Sequence, residues 1–194
     1  MKKTIFAVAI ILILLGLYGM GTYNNLVSLR EDVNGSWAQV ENVYQRRADL
    51  IPNLVATVKG YAAQEKDVLI GVTEARAKVG QVTLKPGDLN NAAKLAQFQS
   101  AQDGLGSALS RLMVVVEKYP ELKSNENFLA LQSQLEGTEN RIAVERQRFN
   151  ELTQRFNQTI VRVPTNLIAK IAGLQKLAYF QAKAGAENVP TVQF

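Results

Sequence analysis

The sequence contains no cysteine and no histidine. Without them there is no thiolate nucleophile, no disulfide, no imidazole base, and no zinc site built from those ligands. Missing thiols fit either side of a bacterial membrane, so the redox compartment stays open. Charge of one sign is scarce as well. The net +5 includes Lys2 and Lys3, and the remaining chain carries 20 basic against 17 acidic residues, spread along its length. That balance lacks the concentrated basic face of a nucleic-acid binder. Carboxylates are dispersed, and Glu65 and Asp67 are too close in sequence to oppose each other as acid and base across a substrate. No nucleophile, base and oxyanion donor come together, so the chain reads as non-enzymatic, with no catalytic, cofactor-binding or metal-ligating residues and no cofactor.

One long apolar run is present. Thr4 to Tyr23 is uncharged over 20 residues, the length that spans a hydrocarbon core. A cleaved signal peptide is the competing reading, but the run exceeds the usual h-region of about 7–15 residues and no Ala-x-Ala-like site follows. Residues 1–23 therefore read as an uncleaved anchor, 24–185 as a helical domain and 186–194 as a tail. Lys2 and Lys3 precede the span and only Arg30 follows closely, which places the N-terminus in the cytoplasm and the bulk of the chain outside the cytoplasmic (inner) membrane.

Beyond the anchor, apolar residues recur at steps of three and four. Leu26, Val33, Trp37, Val40, Tyr44, Ile51, Leu54, Val58, Tyr61, Val68, Val72, Ala75 and Val79 define a seven-residue seam that also takes in Arg30, Arg47 and Glu65. This predicts a helix or a broken pair reaching about Val79, with Pro52, Gly60 and Gly71 as places to bend. Gly80–Asp88 reads as a loop, and Asp88 or Asn90 is expected to cap a second helix through Leu95, Phe98, Gln102, Leu105, Leu109, Leu112 and Val116 to Tyr119. Gly104 and Gly106 are expected where a neighbouring helix approaches closely. Ser124 or Asn125 starts a third helix with a clear heptad: Phe128, Leu135, Ile142, Phe149 and Phe156, interleaved with Leu131, Thr138, Glu145, Leu152 and Thr159. Val163 and Pro164 end it, and a fourth helix is expected from Thr165 through Leu167, Ile171, Leu174 and Ala178 to Ala184. Short turns imply antiparallel neighbours, giving an all-α fold: a transmembrane helix followed by an elongated antiparallel bundle.

The sharpest polar cluster lies in Gln45–Glu65. Arg46, Arg47, Asp49, Pro52, Asn53 and Glu65 are the candidates for setting register or docking a partner. Arg47 and Glu65 fall on the seam, where a charge needs a partner, and the expected partner of Arg47 is Glu65 or Glu145. The basic faces bearing Arg141, Arg146, Arg148, Arg155 and Arg162 are interspersed with acids and read as solvated surface.

These residues also carry a resemblance. Tyr23, Asn24, Leu26 and Val27, Trp37 with Val40, Arg46-Arg47-x-Asp49-Leu50-Ile51-Pro52-Asn53-Leu54-Val55, and Val58-Lys59-Gly60-Tyr61-Ala62 with Glu65 are similar to the N-terminal half of the LemA family. Ala75-Arg76, Arg111-Leu112, Glu117-x-Tyr119-Pro120-x-Leu122-Lys123, Phe128-x-x-Leu131-Gln132, Thr138-Glu139-x-x-Ile142-Ala143, Arg148-x-Asn150 and Phe156-Asn157 extend it across nearly the whole chain. Phe149, where the family often has tyrosine, and Gln64, where histidine is frequent, are departures. The resemblance implies a bacterial single-pass membrane protein with an elongated helical domain and no assigned activity. Relatives occur beside membrane metalloproteases, and one takes part in magnetosome membrane formation. Two functions follow as expectations: a membrane-bound scaffold that self-assembles into a homo-oligomer or recruits membrane partners, or a regulator or substrate adaptor of a membrane metalloprotease.

Overall fold

The computed structural model describes residues 2–182. Its organising element, α1, runs without a break from Lys2 to Tyr61. At 1.5 Å per residue that is a rod of about 90 Å. The apolar stretch is exposed all round, and Leu26 is the first buried side chain. From there Leu26, Val33, Val40, Arg47 and Leu54 are buried seven apart, interleaved with Trp37, Tyr44, Ile51 and Val58. This is the seam predicted from the sequence. Arg30 and Glu65 sit at its margins, half-buried, and Tyr61 is exposed rather than part of the core.

Pro52 lies within α1 on the solvent face, and the helix continues through it. The break falls instead after Gly60, where Ala62–Glu65 turn the chain into α2 (Lys66–Gln81). Gly71 lies inside α2 without interrupting it. A short 3₁₀ turn, Pro86–Asp88, precedes α3 (Ala92–Val116). The cap of α3 is Asn91, whose side chain accepts from the Lys94 N–H at 3.1 Å, rather than Asp88 or Asn90. Asp88 serves the preceding turn, accepting from the Lys94 ammonium and the Lys85 N–H, the first of which does most to hold its carboxyl below the usual range. Pro120 starts the four-residue α4 (Pro120–Lys123), and Asn125 caps α5 (Glu126–Val161) by accepting from the Phe128 N–H.

α5 packs antiparallel against α1 in one constant register. The contacts Tyr61 with Asn125, Arg47 with Glu139, Trp37 with Phe149 and Arg30 with Phe156 are separated by fourteen, ten and seven residues on each helix. α2 descends beside α1, with Arg76 against Ala48, and α3 climbs back, with Phe98 beside Tyr44 and Gln102 beside Arg47. Two apolar clusters result. One is nearer the anchor and is built around Leu26, Trp37, Tyr44, Phe98, Phe149 and Phe156; the other is distal, built around Ile51, Leu54, Val58, Leu105, Leu112 and Phe128.

The expected fourth helix is much shorter. α6 covers Thr165–Ile171 only, and Gly173 at φ +68 takes the left-handed conformation that turns the chain out of it. From Leu174 to Ala182 the chain is not helical and runs back along α5. Leu174, half-buried, with buried Leu177 and Phe180 recur every third residue, one inward side chain in three. The spacing that suggested a continuing helix is thus produced by an extended segment filling a groove between α3 and α5. The predicted tail, 186–194, lies outside the described residues.

Candidate functional site

Of the six residues singled out in Gln45–Glu65, the structure buries only Arg47. Arg46, Asp49, Pro52 and Asn53 face solvent, with Asp49 accepting from Gln45 one turn earlier. Arg47 lies between the two apolar clusters. Its guanidinium donates to Glu139 Oε1 at 2.8 Å, to the Gln102 carbonyl at 3.1 Å and to Gln102 Oε1, and sits 5.1 Å over the Tyr44 ring. One cation therefore ties α1 to both α3 and α5 at the level where the cores meet. Neither Glu65 nor Glu145 is its partner. Glu65 accepts instead from the Tyr119 hydroxyl at the distal end, and Glu145 lies six residues beyond Glu139 on α5, nearer the anchor than Arg47. The bond to Glu65 holds the Tyr119 proton and pushes the phenol above its ordinary range, while burial does the same for Tyr44, against the pull of Arg146 and Arg47.

A second arginine explains Pro52. Proline has no N–H to offer the carbonyl four residues earlier, here that of Ala48. Arg76 of α2 donates to that carbonyl at 2.9 Å. The vacancy in the α1 ladder thus becomes an inter-helix bond, a link that sequence spacing alone did not reveal.

The third feature is the groove between α3 and α5. Nearer the anchor it is filled by Leu174–Ala182, whose backbone is gripped by amide side chains. Asn157 both accepts from the Leu177 N–H and donates to its carbonyl, Asn150 does the same for Phe180, and Gln99 for Gln181. Phe180 completes an aromatic cluster with Trp37 and Phe149, and Arg146 lies 4.7 Å over its outer face. Arg146 is therefore half-buried packing rather than solvated surface. Beyond the level of Ala182 the described residues leave a groove of about 570 Å³ between the two helices, lined by Gly106, Leu109, Ser110 and Met113 of α3 and by Gln132, Leu135, Glu136, Glu139 and Asn140 of α5. A Cβ on Gly104 or Gly106 would meet nothing within 4 Å, so close helix approach does not account for these glycines. Gly106 instead leaves the groove floor bare. Its rim carries Glu139, which receives Arg47 from beneath.

Among the described residues no group of three or more carboxylates is placed to hold a metal ion. An apolar helix long enough to cross a membrane, continued into a bundle with a peptide-sized groove, defines an anchored helical-bundle protein. The chain belongs to the LemA family, whose profile matches residues 36–194. It is 30% identical over 183 residues to two MamQ magnetosome proteins of Paramagnetospirillum magneticum, a match covering 86% of this chain and 67% of each relative. It is 28% identical, with the same coverage, to the MamQ magnetosome protein of Magnetospirillum gryphiswaldense. Protein LemA of Metamycoplasma hominis is 23% identical over 163 residues, covering 84% of this chain and 70% of the relative. None of these names denotes an enzyme.

Proposed function

We propose that the chain is a non-enzymatic, membrane-anchored scaffold that recruits a partner by taking an extended segment of it into the open half of the α3–α5 groove. The observation that carries this reading is the filled half of the same groove. There the protein already binds an extended peptide, its own residues 174–182, through paired amide bonds and one inward side chain in three. The open half continues those walls with an apolar floor of Leu109, Met113 and Leu135, amides at Gln132 and Asn140, and acids at Glu136 and Glu139. A partner segment with spaced apolar residues and a basic residue matches that lining. The likeness to magnetosome proteins is in keeping with an architectural role. The excess of Lys2 and Lys3 over Arg30 supports placing the bundle on the non-cytoplasmic side.

Gly106→Trp tests the reading, because the position has room for a side chain that fills the groove without displacing backbone. After gentle detergent extraction, mass measurement and partner identification, the native chain should carry a bound partner, or further copies of itself, that the variant loses. Assembly unchanged by Gly106→Trp would remove the groove from the function.

A further inference from the structure

The constant register of α5 on α1 fixes how close the base of the bundle comes to the end of the apolar span. Phe156 lies at the level of Arg30, so Val161, five residues on, is level with Asn25, just past Tyr23. There α5 ends and α6 begins. On α6, Ala169 points inward to the cluster containing Leu26 and Ile160. The other face presents Leu167 and Ile171, four residues apart on one stripe, 61% and 88% exposed, and Val163 just before the helix is 81% exposed. Three bare aliphatic side chains thus cluster at the one end of the bundle from which the apolar helix emerges. The segment that bears them is one-sided in charge, although Glu31 and Asp32 of α1 lie beside Arg155. Residues 152–182 contain no Asp or Glu, while Arg155, Arg162, Lys170 and Lys176 fall within them.

The geometry points to α6 as an interfacial foot: Val163, Leu167 and Ile171 enter the lipid–water boundary of the membrane that α1 crosses, with Arg162, Lys170 and Lys176 at the level of anionic headgroups. An apolar stripe beside basic residues, lying at the surface, is the chemistry by which short amphipathic elements hold to a bilayer. Linkage to α1 holds this element at the surface, so seven residues suffice where a free peptide would need more. The contact would set the tilt of the bundle on its anchor.

The inference rests on residues 4–23 spanning the bilayer, and the test reports that separately. Because the chain has no cysteine, single nitroxide labels can be placed at Val163→Cys, Leu167→Cys, Ile171→Cys, Leu12→Cys in the span, and Val144→Cys. Val144 is 62% exposed and about 25 Å above the end of α5. In vesicles of phosphatidylethanolamine and phosphatidylglycerol, collisions with oxygen report lipid exposure and collisions with a water-soluble nickel chelate report solvent. Labels at 163, 167 and 171 should show an oxygen-to-nickel ratio several times that at 144, approaching that at 12. A high ratio at 12 with 163, 167 and 171 matching 144 overturns the foot and leaves the anchor standing. Spin–spin broadening at 167 or 171 would show a second copy covering the face, which also overturns it. A low ratio at 12 removes both.

Discussion

The guanidinium of Arg76 donates to the carbonyl of Ala48, the one α1 carbonyl that Pro52 leaves without its helical partner. The two irregularities, a proline inside a helix and a half-buried arginine on the helix beside it, compensate each other. If so, they are coupled energetically. Arg76→Ala should destabilise the native chain by about 1–2 kcal/mol, in the range for a hydrogen bond from a charged donor. Pro52→Ala restores the N–H, and the Arg76→Ala cost should then shrink by at least about 0.5 kcal/mol. A double-mutant cycle measured by chemical denaturation checks this, and strictly additive effects would separate the two residues.

Arg47 and Glu139 form a lopsided pair, 4% and 47% exposed at the side chain. Removing the buried member leaves Gln102 unpaired and a hole between the two cores. Arg47→Ala should cost about 3 kcal/mol or more. Removing the half-exposed member strips the buried guanidinium of its counter-charge but leaves an amide oxygen to accept from it, so Glu139→Gln should cost about 1–2 kcal/mol, less than Arg47→Ala. Equal losses in thermal denaturation would contradict the asymmetry. Exchanging charges between Arg47 and either Glu65 or Glu145 should rescue nothing.

Asn157 makes two buried hydrogen bonds to one residue of the returning segment, at 2.9 and 2.8 Å. Asn157→Ala leaves the Leu177 N–H and carbonyl unpaired and should release Leu174–Ala182 from the groove while the helices stay folded. Limited proteolysis should then cut after Lys176, a site protected in the native chain. A variant as resistant as the native protein would show that the Asn150 and Gln99 bonds and the packing of Phe180 retain the segment without Asn157.

Tyr44 and Tyr119 both keep their protons above the ordinary phenol range, Tyr44 chiefly through burial and Tyr119 chiefly through its bond to Glu65. A phenol whose folded pKa exceeds the unfolded value adds stability that is whole below about pH 10 and is lost as pH rises through the folded value. Denaturation midpoints should therefore fall on the alkaline side. Tyr119→Phe should flatten that fall, while Glu65→Gln should bring one tyrosinate transition down toward its ordinary position.

Much of this was legible in the sequence because heptads record burial directly. Leu26 to Val58 and Phe128 to Phe156 predicted both faces of the α1–α5 interface, and the uncharged run before Asn24 marked the apolar rod. The partners of polar residues were less accessible. Arg47 was recognisable as a buried charge on the seam, but whether α5 meets it with Glu139 or Glu145 depends on register, which a repeat of seven leaves free by whole heptads and which helix-face reading blurs by a turn. Arg76 gave no periodic signal, since its acceptor is a backbone atom. Leu174–Ala182 misled because spacings of three and four in a helix overlap with a spacing of three in an extended chain, and only the Gly173 turn separates them.

The unbroken passage of α1 from membrane to tip has a mechanical meaning. Between Tyr23 and Tyr61 the helix rises about 57 Å with no hinge, braced along that length by α5. At the distal turn Tyr61, Gln64, Glu65, Tyr119 and Asn125 tie the helix ends together by side-chain hydrogen bonds, so the tip is fixed to the same rod. A helix braced in this way is stiff from the apolar stretch to the distal turn, so the two ends of the molecule move as one body rather than about a joint.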